Sequence, residues 1–174
     1  MSVNANTYEI QAGSILAQFR VQLKKTDTNG PGTTGIYDAS GSGGKFSASI
    51  TDGTGNNQIN DLAVMRISIA DGATEAVDLT GSTYFNVFNV ALTWAKLKFV
   101  MIEAAATNTT NVTPGGGGTP VIASAPAITP SGAFFYANPI SGLTVAAGST
   151  DLLNLVNGAG AAAVVDVLLG GVKA

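Results

Sequence analysis

The chain is written in short apolar–polar alternations separated by glycine-rich breaks. Alternation at every second residue puts one set of side chains on one face of a strand, so each run predicts a half-buried strand. The first begins at Ala17 and places Ala17, Phe19, Val21 and Leu23 on one side. Ile15, Leu16, Phe19 and Leu23 also satisfy helical spacing; the β-branched and aromatic content favours the strand. Residues 26–44 are so rich in Gly, Thr, Ser and Asp that they predict no regular structure, but a mobile surface loop or docking arm. Residues 45–51 alternate again through Phe46, Ala48 and Ile50. They lead into Asp52-Gly53-Thr54-Gly55-Asn56-Asn57, a turn rich in residues that tolerate positive φ.

Strands are next predicted over 62–70 and 74–79, with Asp71-Gly72 as the turn dipeptide between them. Residues 94–104 read WAKLKFVMIEA; the first half sets Leu97 and Phe99 against Lys96 and Lys98. The run Phe99-Val100-Met101-Ile102 predicts a strand buried on both faces. Beyond four glycines at 115–118 come short strand candidates over 121–128, 133–136 and 143–146. The C-terminus predicts a hairpin: 151–156, a turn at Asn157-Gly158-Ala159-Gly160, then 162–169. In its second strand Val164, Val165, Val167, Leu168 and Leu169 surround a single Asp166. That composition predicts a strand central in a sheet or at a subunit interface, with hydrogen-bond donors gathered around the acid.

Runs of this kind every 8–12 residues or roughly so predict an all-β antiparallel sandwich, read as jelly-roll-like with long Gly-rich loops. Residues 46–174 form its body, and residues 1–45 an N-terminal strand or arm with its loop. The whole is one domain, because the pieces flanking the glycine run are each too short to bury a core alone.

Composition narrows the function. The 174 residues include no histidine and no cysteine, with 8 basic and 11 acidic side chains. Charged residues make up 11%, against about 25% in ordinary soluble domains. Imidazole and thiolate chemistry are excluded, and the acids stand singly in turns with no pair spaced for acid–base work. Ser42-Gly43-Gly44-Lys45 matches only the end of a phosphate-binding loop, since Ala39 stands where the first glycine belongs and Phe46 where Ser or Thr closes it. Asp52, Asn56 and Asp61 carry oxygens of the kind calcium takes, but Thr54 breaks the loop pattern and turn chemistry accounts for them. The chain is therefore expected not to be an enzyme and to need no cofactor or metal. Lys24-Lys25 and the Lys96/Lys98 pair are its only basic clusters, too sparse for nucleic acid. No stretch approaches the ~18–20 apolar residues of a membrane span, so no membrane partner is expected. The polar N-terminus lacks the pattern of a signal peptide.

Several segments occur together in a recognisable order. They are Ile50-Thr51-Asp52-Gly53-Thr54-Gly55-Asn56-Asn57-Gln58, the Asp78-Leu79-Thr80-Gly81 step, the 97–104 strand with its Asn108-to-Val112 exit, and the ending from Asp151 through the Val164-Val165-Asp166-Val167 strand. In this order they resemble the small virion structural proteins of tailed bacteriophages, over residues 46–174. The resemblance implies a structural component of the particle.

Low charge, apolar faces and this resemblance lead to one expectation: a capsid decoration or cement protein. It would be a symmetric homo-oligomer, expected to be a trimer, docked on the major capsid protein in a virion assembled in the host cytoplasm. Phe19, Val21, Trp94, Phe134, Phe135, Tyr136, Val165 and Leu168 are the candidate interface residues, being the aromatic and aliphatic anchors that interfaces favour. A tail-tip or baseplate protein is the alternative within this class. A carbohydrate-binding sandwich is the alternative outside it, with Trp94, Phe99 and Phe134-Phe135-Tyr136 as a stacking platform.

Overall fold

A computed structural model describes residues 13–18, 22–25, 35–38, 45–118 and 120–174. The chain divides into two compact units, a small one over Ala12–Ile50 and a main one over Thr51–Ala174. In the small unit β1 (Gly13–Gln18) pairs antiparallel with β4 (Lys45–Asp52), from Gly13 opposite Ile50 to Gln18 opposite Lys45. The other pair is β2 (Gln22–Lys25) with β3 (Gly35–Asp38). The segment expected to have no regular structure thus contains a strand: Ile36 and Tyr37, a β-branched and an aromatic residue, sit opposite Lys24 and Leu23. The interface candidates Phe19 and Val21 lie outside the described residues.

The main unit continues with β5 (Gln58–Ile59), β6 (Asp61–Ile69), β7 (Thr74–Asp78), β8 (Trp94–Ala104), β9 (Val112–Pro114), β10 (Ala133–Ala137), β11 (Leu143–Thr144), β12 (Leu152–Asn157) and β13 (Ala163–Lys173). One sheet runs β10-β8-β13-β6, with β11 also on β8, and a second runs β7-β12-β9. All these pairings are antiparallel. Val100, Ile102, Val165, Val167 and Leu169 from the first sheet share one buried core with Val77, Val112, Leu153 and Leu155 from the second. The main unit is thus an all-β body of sandwich type. Its central strand is β13, hydrogen-bonded to β6 on one side and β8 on the other. Asp166 differs from expectation. Its side chain is 52% exposed and lies 3.7 Å from Arg66 on β6, because the alternation turns it to the solvent face while Val165 and Val167 turn inward.

The C-terminal strands do not form the expected hairpin. β12 belongs to the second sheet and β13 to the first, so the 158–162 connection crosses the sandwich. The 70–73 turn makes the same crossing between β6 and β7. Asn157, almost wholly buried, fastens the two crossings together. Its Nδ2 donates to the carbonyls of Ala70 at 2.9 Å and Ala161 at 2.8 Å, and its Oδ1 accepts from Thr110 Oγ1 at 2.7 Å. Gly160 N–H adds a bond to Asp71 Oδ1 at 2.6 Å. A turn-rich sequence between two strands is equally compatible with a hairpin and a crossing; the partners of Asn157 decide it. Asn157→Ala is expected to destabilise the protein by about 2–4 kcal/mol in urea titration, since several buried polar groups lose their partner at once.

The predicted strand over 121–128 is absent, because Pro120 and Pro126 remove ladder donors there. The segment makes only isolated bridges, Gly115 to Ser124 and Val112 to Ile128. The glycine run beside it is no linker. Gly115, Gly116 and Gly117 all take positive φ, wrapping the chain around the buried Asn154, whose Nδ2 donates to Gly116 O.

Candidate interaction surface

The outer face of the large sheet is shaped by an irregularity in β8. Phe99 pairs with Gly170 and Leu97 with Gly171, so Lys98 has no opposite residue on β13 and forms a bulge. The extra residue reverses the alternation. Leu97 enters the core, and Phe99 falls on the other face, contrary to the expectation that the two would share one. Phe99 is nevertheless covered, because its ring lies over Gly170; a Cβ at that position would sit 2.1 Å from Phe99 Cε1. Lys98, which the alternation set against Leu97 and Phe99, is buried and donates to the carbonyls of Ile140 at 2.6 Å and Pro139 at 3.1 Å. Burial, and behind it the charge of Lys96, lowers its pKa below the ordinary lysine value.

Beyond the bulge the registers line up outward-facing residues in rows across the four strands. Phe135, Met101, Leu168 and Val64 are successive cross-strand neighbours from β10 to β6. Met101 and Phe135 are exposed, and Val64 is 60% exposed. The expectation that Met101 would be buried fails for this reason: among the described residues of the main unit nothing covers this face of β8 as the second sheet covers the other. A parallel row holds Glu103, Asp166 and Arg66. Between the two lies an apolar depression of about 80 Å³, lined by Val64, Met101, Leu168, Val167, Glu103 and Asp166.

At the β6 end of this face stands a loop, residues 84–92, with no charged residue from Leu79 to Thr93. Phe85, Val87, Phe88 and Val90 are all exposed on it. Such side chains would ordinarily collapse inward, and a polar scaffold prevents it. Buried Asn86 accepts from Phe88 N at 3.0 Å and Val90 N at 2.8 Å through Oδ1, and donates through Nδ2 to Asp61 Oδ1 at 2.7 Å. Asp61, itself buried, accepts from Trp94 Nε1 at 2.7 Å through its other oxygen. Val87 N–H donates to Leu62 O on β6 at 3.0 Å. Tyr84 closes the base of the loop by donating to Glu75.

Burial first, then the hydrogen bond to Glu75 and its charge, raise the Tyr84 pKa well above the ordinary tyrosine value. The folded state therefore keeps a proton that the unfolded chain releases above about pH 10. That stability is present below pH ~10 and is lost as the pH rises further. Tyr84→Phe is expected to flatten the alkaline fall in melting temperature between pH 9.5 and 11.5, roughly the range spanning that release; an unchanged slope would contradict the coupling.

The candidate interface residues separate on this geometry. Phe135 and Leu168 lie on the outer face. Phe134 and Tyr136 are half-buried and pack on the core. Trp94 and Val165 are core residues, Trp94 being only 1% exposed. The aromatic side chains weighed as a stacking platform are therefore divided between core and surface. Asp61, weighed as a calcium donor, serves Trp94 and Asn86 instead. The loop residues Phe85, Val87, Phe88 and Val90 went unnoticed in the sequence; the signal available was an apolar run without charge and with asparagine at Asn86 and Asn89. Compared with protein-family models, curated proteins and solved structures, the chain matches none.

Proposed function

We propose that this chain is a structural protein of a tailed-phage particle. In this reading it is a decoration or cement protein that docks on the outer shell of the head as a symmetric homo-oligomer. The observation that carries the reading is the outward apolar row Phe135-Met101-Leu168-Val64 together with the uncharged loop of Phe85, Val87, Phe88 and Val90. Contiguous apolar surface of this kind marks an interaction site, and its burial stabilises a contact by about 25 cal/mol per Å² before association costs. The hydrogen bonds that hold the loop lower those costs, since they fix its backbone before docking. The resemblance of residues 46–174 to phage virion proteins supports the same class, and repeated crossing between the sheets supports the jelly-roll reading. The major capsid protein is the partner this reading names. Quantitative mass spectrometry of purified particles, with heads and tails separated, is the test. Recovery in the head fraction at copy numbers near those of the shell protein is expected. Recovery only with tails supports the baseplate alternative, and absence from particles contradicts the class.

A further inference from the structure

The edge of the large sheet is a feature separate from its outer face. β6 is the terminal strand, and its residues alternate in the direction of their backbone groups. Asp61, Ala63, Met65, Ile67 and Ile69 turn inward with their side chains, while Leu62, Val64, Arg66 and Ser68 stand opposite Gly170, Leu168, Asp166 and Val164 with their N–H and C=O groups directed away from β13. The outward carbonyl of Leu62 is taken by Val87 N–H. Among the described residues no hydrogen bond reaches the outward groups of Val64, Arg66 or Ser68. An exposed edge with three consecutive open positions is a template for another strand.

We propose that a second copy of this chain fills it, the two β6 strands pairing antiparallel about a two-fold axis at Arg66. The loop fixes the register. It occupies the edge at Leu62, so pairing begins at Val64, and symmetry then sets Val64 opposite Ser68 of the partner subunit and Arg66 opposite Arg66 of the partner subunit. Three positions, each exchanging a donor and an acceptor, supply about six backbone hydrogen bonds. The edge is complementary to itself, which is what an isologous contact requires. Charge opposes the pairing at one position, where two like side chains stand directly opposite. The Arg66 side chain is 69% exposed, with Asp166 at 3.7 Å and Glu103 next in the same row. Across the axis the two Arg66 side chains repel each other, and each keeps its own Asp166 beside it, which offsets part of that repulsion at a site exposed to water. The pairing gives a dimer in place of the three-fold ring expected from the sequence, and it lays two apolar outer faces side by side in one continuous sheet. It rests on the strand edge alone and does not depend on what particle the protein joins.

The absence of cysteine in the chain allows a direct test. Directly opposite residues in a hydrogen-bonded antiparallel pair lie about 5.5 Å apart at Cα, within the span a disulfide bridges. Residues two positions from the axis lie roughly 14 Å from their own copy. Arg66→Cys is therefore expected to give a covalent dimer under mild oxidation, and Ser68→Cys to stay monomeric on a denaturing gel. Val64→Pro, which removes an outward N–H while sparing the ladder to β13, is expected to convert a sedimenting dimer into a monomer with its melting transition retained. Wild-type protein sedimenting as a monomer or trimer at micromolar concentration would overturn the proposal, as would equal cross-linking of the two cysteine variants. If Val64→Pro fails to fold, the cysteine pair still decides.

Discussion

A chain ending at Ala162 is expected not to fold. The missing strand, β13, is the shared partner of β6 and β8, so its loss separates the sheet into pieces. It also removes Val165, Val167 and Leu169, each essentially buried. Burial of one such side chain contributes about 1.5–3 kcal/mol, and three of them approach the whole stability of a domain, about 5–15 kcal/mol. The two hydrogen bonds between Asn108 and the backbone of Val164, both 2.8 Å, disappear as well. Circular dichroism and proton NMR of the truncated protein are expected to lack a cooperative transition. A soluble product with unchanged melting would contradict the central position of the strand.

Asp61→Ala is the point substitution with the largest expected effect, about 3–5 kcal/mol. Asp61 is buried, and its two oxygens accept from Asn86 Nδ2 and Trp94 Nε1 at 2.7 Å each. Lys173 Nζ stands 3.9 Å away. Removing the carboxylate leaves an indole N–H and an amide without an acceptor in a region closed to water, and it withdraws support from loop 84–92. Two readouts are expected to move together: the urea midpoint falls, and amide exchange at Phe88 and Val90 accelerates beyond what the global loss explains. A fall in midpoint with loop exchange unchanged relative to the rest would show that Asn86 holds the loop without Asp61.

Much of the body was legible in the sequence. The alternations over 62–70, 74–79, 94–104 and 133–136 correspond to β6, β7, β8 and β10, because period-two patterning reflects one buried face directly. The central position of β13 was legible for the same reason, its inner residues being unbroken Val and Leu. Connectivity was not. Asn157-Gly158-Ala159-Gly160 has the chemistry of a turn, and turn chemistry does not specify whether the next strand pairs with the last or crosses the core. The face of Phe99 was hidden too, since a bulge needs only one extra residue and leaves no mark beyond the small Gly170 opposite it. Of the interface candidates, Phe135 and Leu168 lie on the outer face of the sheet, whereas Trp94, chosen by its type alone, lies in the core. A tryptophan whose indole has a buried carboxylate as partner belongs in the core, and that partner, Asp61, lies 33 residues away in sequence. The exposed loop was missed because apolar side chains are ordinarily read as buried, and the hydrogen bonds of Asn86 and Asp61 that help hold it are not visible in the sequence.

The proposed role as a head-reinforcing cement protein is tested most directly by adding the purified protein to phage heads prepared without it and measuring the temperature at which DNA is released. Release is expected to shift upward with added wild-type protein and to saturate at a fixed ratio to the shell subunit. Val87→Asp combined with Phe88→Asp on the loop is expected to abolish the shift while leaving the protein folded. Heads that bind the wild-type protein without any change in release temperature, or that do not bind it at all, would contradict the adhesive role.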